Sequence, residues 1–181
     1  MPLLQDPPPA AAPAAPSAEV IVSRREANVL AASQDVPLAL VKAGRREDAV
    51  MRRVVFASTE VTVARPAGEA TSARDTYRWT HQAYVQRQLC VTSITGQFVC
   101  AAPQSEAVGD GEVGVAPVDP AAPTTFAEAD AAADRLVARL RTRAGALFET
   151  DRKTRLEPML KAAGVTIAPS PLPATGRDRR R

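Results

Sequence analysis

An α+β chain is predicted, with a small antiparallel sheet first and a helical segment after it. Three observations carry this. Residues 77–91 alternate apolar and polar with a period of two; a glycine-bearing turn follows and places two cysteines opposite each other; and residues 126–147 carry an apolar stripe at helical spacing.

The 181-residue chain begins with Met1-Pro-Leu-Leu-Gln-Asp and a Pro/Ala tract, and residues 1–17 are expected to form a disordered, polyproline-like arm. A β-rich domain is assigned to residues 18–101. Within it, Glu19–Val22 and Val36–Val41 are short apolar runs, and residues 24–32 fit a helical turn or an irregular strand equally well. Residues 51–65 read as a strand with Val55, Ala57, Val61 and Val63 on one face and Phe56, Ser58, Glu60 and Thr62 on the other; Pro66-Ala67-Gly68 ends it.

The best-defined strand comes next. Tyr77, Trp79, His81, Ala83 and Val85 form its apolar face, while Arg78, Thr80, Gln82, Tyr84 and Gln86 form the polar one, which is the candidate surface for a partner. Arg87 falls on the apolar side, so a bulge or a break is expected there. Gly96 can take positive φ at the end of a three-residue loop, 94–96. Closing that loop with Ser93 opposite Gln97 sets Cys90 directly opposite Cys100, in a narrow site suited to a disulfide. With the strand at 51–65, a sheet of about four strands is expected.

Residues 102–123 are rich in Pro, Gly and Ala and contain acids but no base, which predicts an acidic linker. A helical segment follows over 124–168. Thr125 and Glu128 have capping-box spacing, and Phe126, Ala129, Ala133, Leu136, Val137, Leu140, Ala144 and Leu147 make the stripe. That stripe is expected to dock on the sheet of the same chain. A shorter helix over 154–163 accommodates Pro158 in its first turn and stops at Gly164, and Val165-Thr-Ile167 adds an edge strand. Residues 169–181 are expected to be a disordered, arginine-rich tail.

Motifs for chemistry are few. Gly109-Asp-Gly-Glu-Val-Gly114 matches a phosphate-binding fingerprint in letters alone: prolines stand where its helix should open, and its acids would repel phosphate. His81 is the single histidine, and two cysteines make neither a zinc set nor a C-x-x-C pair. No catalytic, metal-binding or cofactor-binding residues are therefore assigned, and no cofactor is expected. From Arg135 to Arg181 there are twelve bases against four acids, so Arg177, Arg179, Arg180 and Arg181 are candidate contacts for a polyanion. A GC-rich genome produces the same Arg/Ala bias through codon usage.

No run of eighteen apolar residues exists in the chain. The paired cysteines favour an oxidising compartment. The sequence thus predicts a non-enzymatic, exported module of a GC-rich Gram-negative bacterium, periplasmic or secreted and associated with a protein or envelope component, with a signal peptide upstream of Met1. The alternative is a cytosolic, nucleic-acid-associated protein that uses the C-terminal arginines.

Overall fold

The computed structural model describes residues 18–93 and 95–168. The Pro/Ala arm at 1–17, the arginine tail at 169–181 and the four candidate polyanion contacts within that tail lie outside the described residues.

The fold is α+β, with a six-stranded antiparallel sheet and a long C-terminal helix. Strand β1 (Glu19–Lys42) turns through Ala43 and Gly44 into β2 (Arg45–Pro66). Both turn residues have positive φ, which matches the right-handed twist of the flanking strands. The ambiguous residues 24–32 are part of β1. Their pairing with β2 continues through two register shifts, between Ile21 and Ser23 and between Leu30 and Ala32. These shifts, each of which reverses the parity on a given side of the sheet, and the exposure of every residue from Glu19 to Leu30 together hide the period of two from the sequence.

Strand β3 (Thr76–Thr92) pairs with β2 along its whole length in unbroken register. The bulge or break expected at Arg87 is absent. Arg87 keeps its place on the inward face because Asp151 of the helix pairs with it. The predicted hairpin forms: Gly96 has φ 79°, and β4 (Phe98–Cys100) meets β3 with Cys90 opposite Cys100. The cysteines are bonded, with their Cα atoms 4.0 Å apart.

Residues 104–117, expected within the acidic linker, form strand β5 (Gln104–Pro117) along the rest of the β3 edge. Only residues 118–126 connect the sheet to the helix. The sheet order is therefore β4 and β5 on the outer edge of β3, then β3, β2, β1 and finally β6 (Thr166–Ala168) against β1.

Helix α1 (Ala127–Asp151) crosses one face of this sheet. At about 1.5 Å per residue it spans roughly 38 Å, the length of about a dozen strand residues, and Phe126 before it and Leu156 and Leu160 after it extend the cover towards Tyr77 and Met51. Its first turn is not held by the expected Thr125–Glu128 box; the N-cap is Phe126, without a side-chain bond. The backbone N–H of Glu128 instead donates to the Tyr77 hydroxyl at 3.3 Å. The predicted stripe is correct at Phe126, Ala129, Leu136, Val137, Leu140 and Ala144, while Ala132 and Phe148 are buried in place of Ala133 and Leu147, which are half-buried.

A π-helical turn (Arg152–Leu156) joins α1 to α2 (Glu157–Ala162). Pro158 has no N–H to give to the carbonyl of Thr154, and its ring would crowd that group, so a wider turn ahead of the proline relieves both problems. The predicted helix at 154–163 is thus the end of a nearly continuous helical run.

Candidate functional site

Three sheet–helix clusters make up the core. The central one joins Val55, Ala57, Ala83 and Val85 to Leu136, Val137, Leu140, Ala144 and Phe148. A second gathers Tyr77, Trp79, Val61 and Val63 around Phe126, Ala129 and Ala132. A third sets Met51 against Leu156 and Leu160. These fix α1 on one face and leave the other face of the sheet uncovered by any described element.

That second face carries the sequence-predicted surface. Cross-strand partners share a face, so Tyr84 lies beside Phe56, Thr80 beside Glu60 and Val113, and Arg78 beside Thr62 and Val115. Phe56 and Tyr84 stack at 5.5 Å between centroids with planes 19° apart. Leu30 lies opposite Phe56, and further along the same face Val113 and Val115 lie opposite Thr80 and Arg78; the three are 54%, 74% and 59% exposed and so remain available for contact. Polar groups on this face are partly engaged within the chain: Arg78 pairs with Glu19, Arg24 with Glu26 and Glu60, and Gln86 donates to Ser105 Oγ at 3.0 Å. The five residues singled out from sequence are thus brought together. Phe56, Leu30, Val113 and Val115 were missed as part of the same surface, although the alternation at 51–65 had already placed Phe56 on the outward side of its strand. The Cys90–Cys100 bond lies on this face as well, with Cys90 beside Val50.

The single histidine lies on the helix-facing side, where it holds structure. His81 is buried, and its Nε2–H donates to the Ala129 carbonyl at 2.8 Å, which ties β3 to the first turns of α1. The Gly109–Gly114 stretch lies inside β5, and no helix opens on it. Gly109 takes φ 77° at the irregularity opposite Gln82–Tyr84, and Gly114 makes room for the Trp79 indole.

The acids of β5 face the arginines of the helical run. Glu112 pairs with Arg135 and Arg139, Asp110 with Arg143, and Glu106 with Arg155. Hydrogen bonds from Arg135, then its charge, hold the Glu112 carboxyl below the usual carboxylate range. Arg152 clamps Glu149 and Glu157 across the π turn, and the bonds from Arg152 and Lys153 pull Glu149 down to about 2. Much of the basic excess read from sequence is therefore matched by carboxylates once the chain folds.

Beneath the end of α1 lies a different arrangement. Arg53 and Arg87 are direct cross-strand neighbours on the inward face. Arg87 pairs with the buried Asp151 at 2.5 Å, whereas Arg53 donates to the Phe148 carbonyl at 2.9 Å and to Gln34 Oε1 at 2.8 Å, and stacks on the Phe148 ring. Burial lowers the Arg53 pKa from the ordinary arginine value, and nearby Asp151 offsets part of that.

Among the described residues no helix is long and apolar enough to cross a membrane, and no group of three His, Cys, Asp or Glu residues is placed to hold a metal. No family model, no curated protein and no solved structure matches the chain.

Proposed function

We propose that this chain is a non-enzymatic binding module, exported to an oxidising compartment, that engages a protein partner or envelope component through the uncovered face of its sheet. The observation that carries this is the stacked Phe56–Tyr84 pair at the centre of a face with exposed Leu30, Val113 and Val115 and a fringe of Arg78, Thr80, Gln82 and Gln86. Aromatic anchors ringed by polar groups are the usual make-up of a contact surface. The disulfide supports the compartment, since such bonds persist where thiols are not kept reduced. His81, Cys90, Cys100 and Asp151 are each committed to holding strands or the helix in place, which supports a binding role over a catalytic one.

Site-specific photo-crosslinking in the native host tests the surface. A crosslinker at Gln82, on the open face, should give a discrete adduct that Tyr84→Arg abolishes, while one at Arg141, on the outer side of α1, should give none. Equal labelling from both positions would remove the case for this face. Cell fractionation with thiol trapping tests the compartment: a cytosolic protein with free thiols would favour the nucleic-acid alternative. DNA or RNA binding that weakens steeply with salt, and is lost on replacing Arg177 and Arg179–Arg181, would then establish that alternative.

A further inference from the structure

A groove opens where the helical run meets the β1 end of the sheet, on the side away from the proposed binding face. Val36 and Leu38 of β1, Met51 of β2, Leu156 of the π turn and Ile167 of β6 line its apolar walls, and its volume is about 340 Å³. Arg53 and Arg152 lie at its polar end. A second depression of about 460 Å³ shares Glu157 and Ile167 with it and continues past Leu160 and Val165. Both volumes fall within the range of about 300–1,000 Å³ typical of sites for small molecules.

Arg53 sets the chemistry of this end. It is only 7% exposed, and Arg87 stands beside it in the β2–β3 register. Asp151, the one carboxylate buried with them among the described residues, bonds Arg87 through Oδ1; it acts on Arg53 through its charge, without a hydrogen bond. The acceptors Arg53 has found, a backbone carbonyl and a glutamine amide, carry no charge, and its Nε has no acceptor. Arg152, nearer the surface, is already balanced by Glu149 and Glu157. Two buried cations thus share one buried anion, and Arg53, the one of these three that lines the groove, is left without a charged hydrogen-bond partner, a costly state for a buried charge.

We propose that the groove binds a single-chain anionic amphiphile of the fatty-carboxylate class. Its alkyl chain lies along Leu38, Met51, Leu156 and Ile167, and its carboxylate pairs with Arg53. The deficit of one charge matches a monoanion, and the planar guanidinium suits a carboxylate. A doubly charged head would meet Glu157 at the rim. This inference stands apart from the binding face, since the two sites share no residue.

The test titrates the full chain with sodium laurate below its micelle concentration, followed by calorimetry, with dodecanol and dodecyltrimethylammonium as neutral and cationic counterparts. Laurate should bind at one saturable site, and the two counterparts should bind at least about tenfold more weakly, the scale set by losing one buried charge contact. Arg53→Gln should erase the preference for the anion. Should that variant fail to fold, Ile167→Trp keeps the test alive: Ile167 is half-buried at the lip, and the larger ring should block laurate while the circular dichroism spectrum stays unchanged. Absence of saturable laurate binding, equal affinity for all three probes, or laurate binding retained by folded Ile167→Trp would overturn the proposal. So would laurate binding that appears only after residues 169–181 are deleted, because it would place the chain's own tail in the groove.

Discussion

A methyl group at position 114 would have nowhere to go. A Cβ built on Gly114 falls 2.0 Å from Cζ2 of Trp79, whose ring packs against the bare backbone of β5 within the Tyr77–Phe126 cluster. The indole is confined by the helix above it and cannot yield. Gly114→Ala should therefore cost about 1–3 kcal/mol, the range for overpacking a closed core. Gly111→Ala meets only the mobile end of Gln82 at 3.3 Å and should cost less. Urea denaturation of the two variants checks the order; equal losses would mean that Trp79 moves. Glycine spacing suggested a phosphate loop in letters, the prolines and acids around it argued against one, and the stretch folds as part of β5. That one of those glycines exists for a tryptophan was not legible, since nothing local links position 114 to position 79. Arg87 teaches the same lesson from the other side. A charge on an apolar face looked like a break in the strand, and its partner Asp151 lies 64 residues away.

At the scale of elements, the hairpin was legible because its glycine, its loop length and its two cysteines constrain one another over eleven residues. Its contribution is testable: reduction, or Cys90→Ser with Cys100→Ser, should lower unfolding stability by about 2–3 kcal/mol in the chain-entropy account, measured by denaturant titration with and without reductant. Strand β5 was not legible for an equally local reason. Its inward positions include Glu106, Asp110 and Glu112, so its core-facing side does not read as apolar, and its acids gain a purpose only opposite the arginines of α1 and the π turn. The same kind of pairing makes the fold sensitive to acid. Arg65 holds Asp75 through two hydrogen bonds of 2.7 and 2.8 Å and keeps its carboxyl below the usual range, as Arg135 does for Glu112 and Arg152 for Glu149. Carboxylates whose folded pKa is depressed add stability that is present above the unfolded value, about 4, and is lost as pH falls towards the folded one. Stability should hold from neutral pH to about 4 or 5 and decline below it. Asp75→Asn should be less stable at pH 7 and should lose less further stability on acidification, a contrast readable from melts at pH 7 and pH 3. A parallel decline in both proteins would assign the acid sensitivity to other groups.

The whole molecule is held together by one helical run that enters every part of the core. The three clusters draw on α1, α1 with its lead-in Phe126, and the π turn with α2, respectively, and none of the three closes without the helical side. The sheet alone would expose Val55, Ala57, Ala83 and Val85 along its centre and would leave the buried Arg53 without the Phe148 carbonyl and ring. A chain of residues 18–117 should therefore fail to unfold cooperatively, showing strand content by circular dichroism but no sharp transition and strong binding of a hydrophobic dye. Residues 18–170 should behave differently. They keep every described strand and helix, so their melting temperature should match that of the full chain, because no described contact is removed. A cooperative transition in the 18–117 chain would mean that the sheet supports itself through its β-strand pairing and disulfide, with α1 as a later addition. A clear drop in the melting temperature of the 18–170 chain would mean that one of the two terminal segments docks against this core.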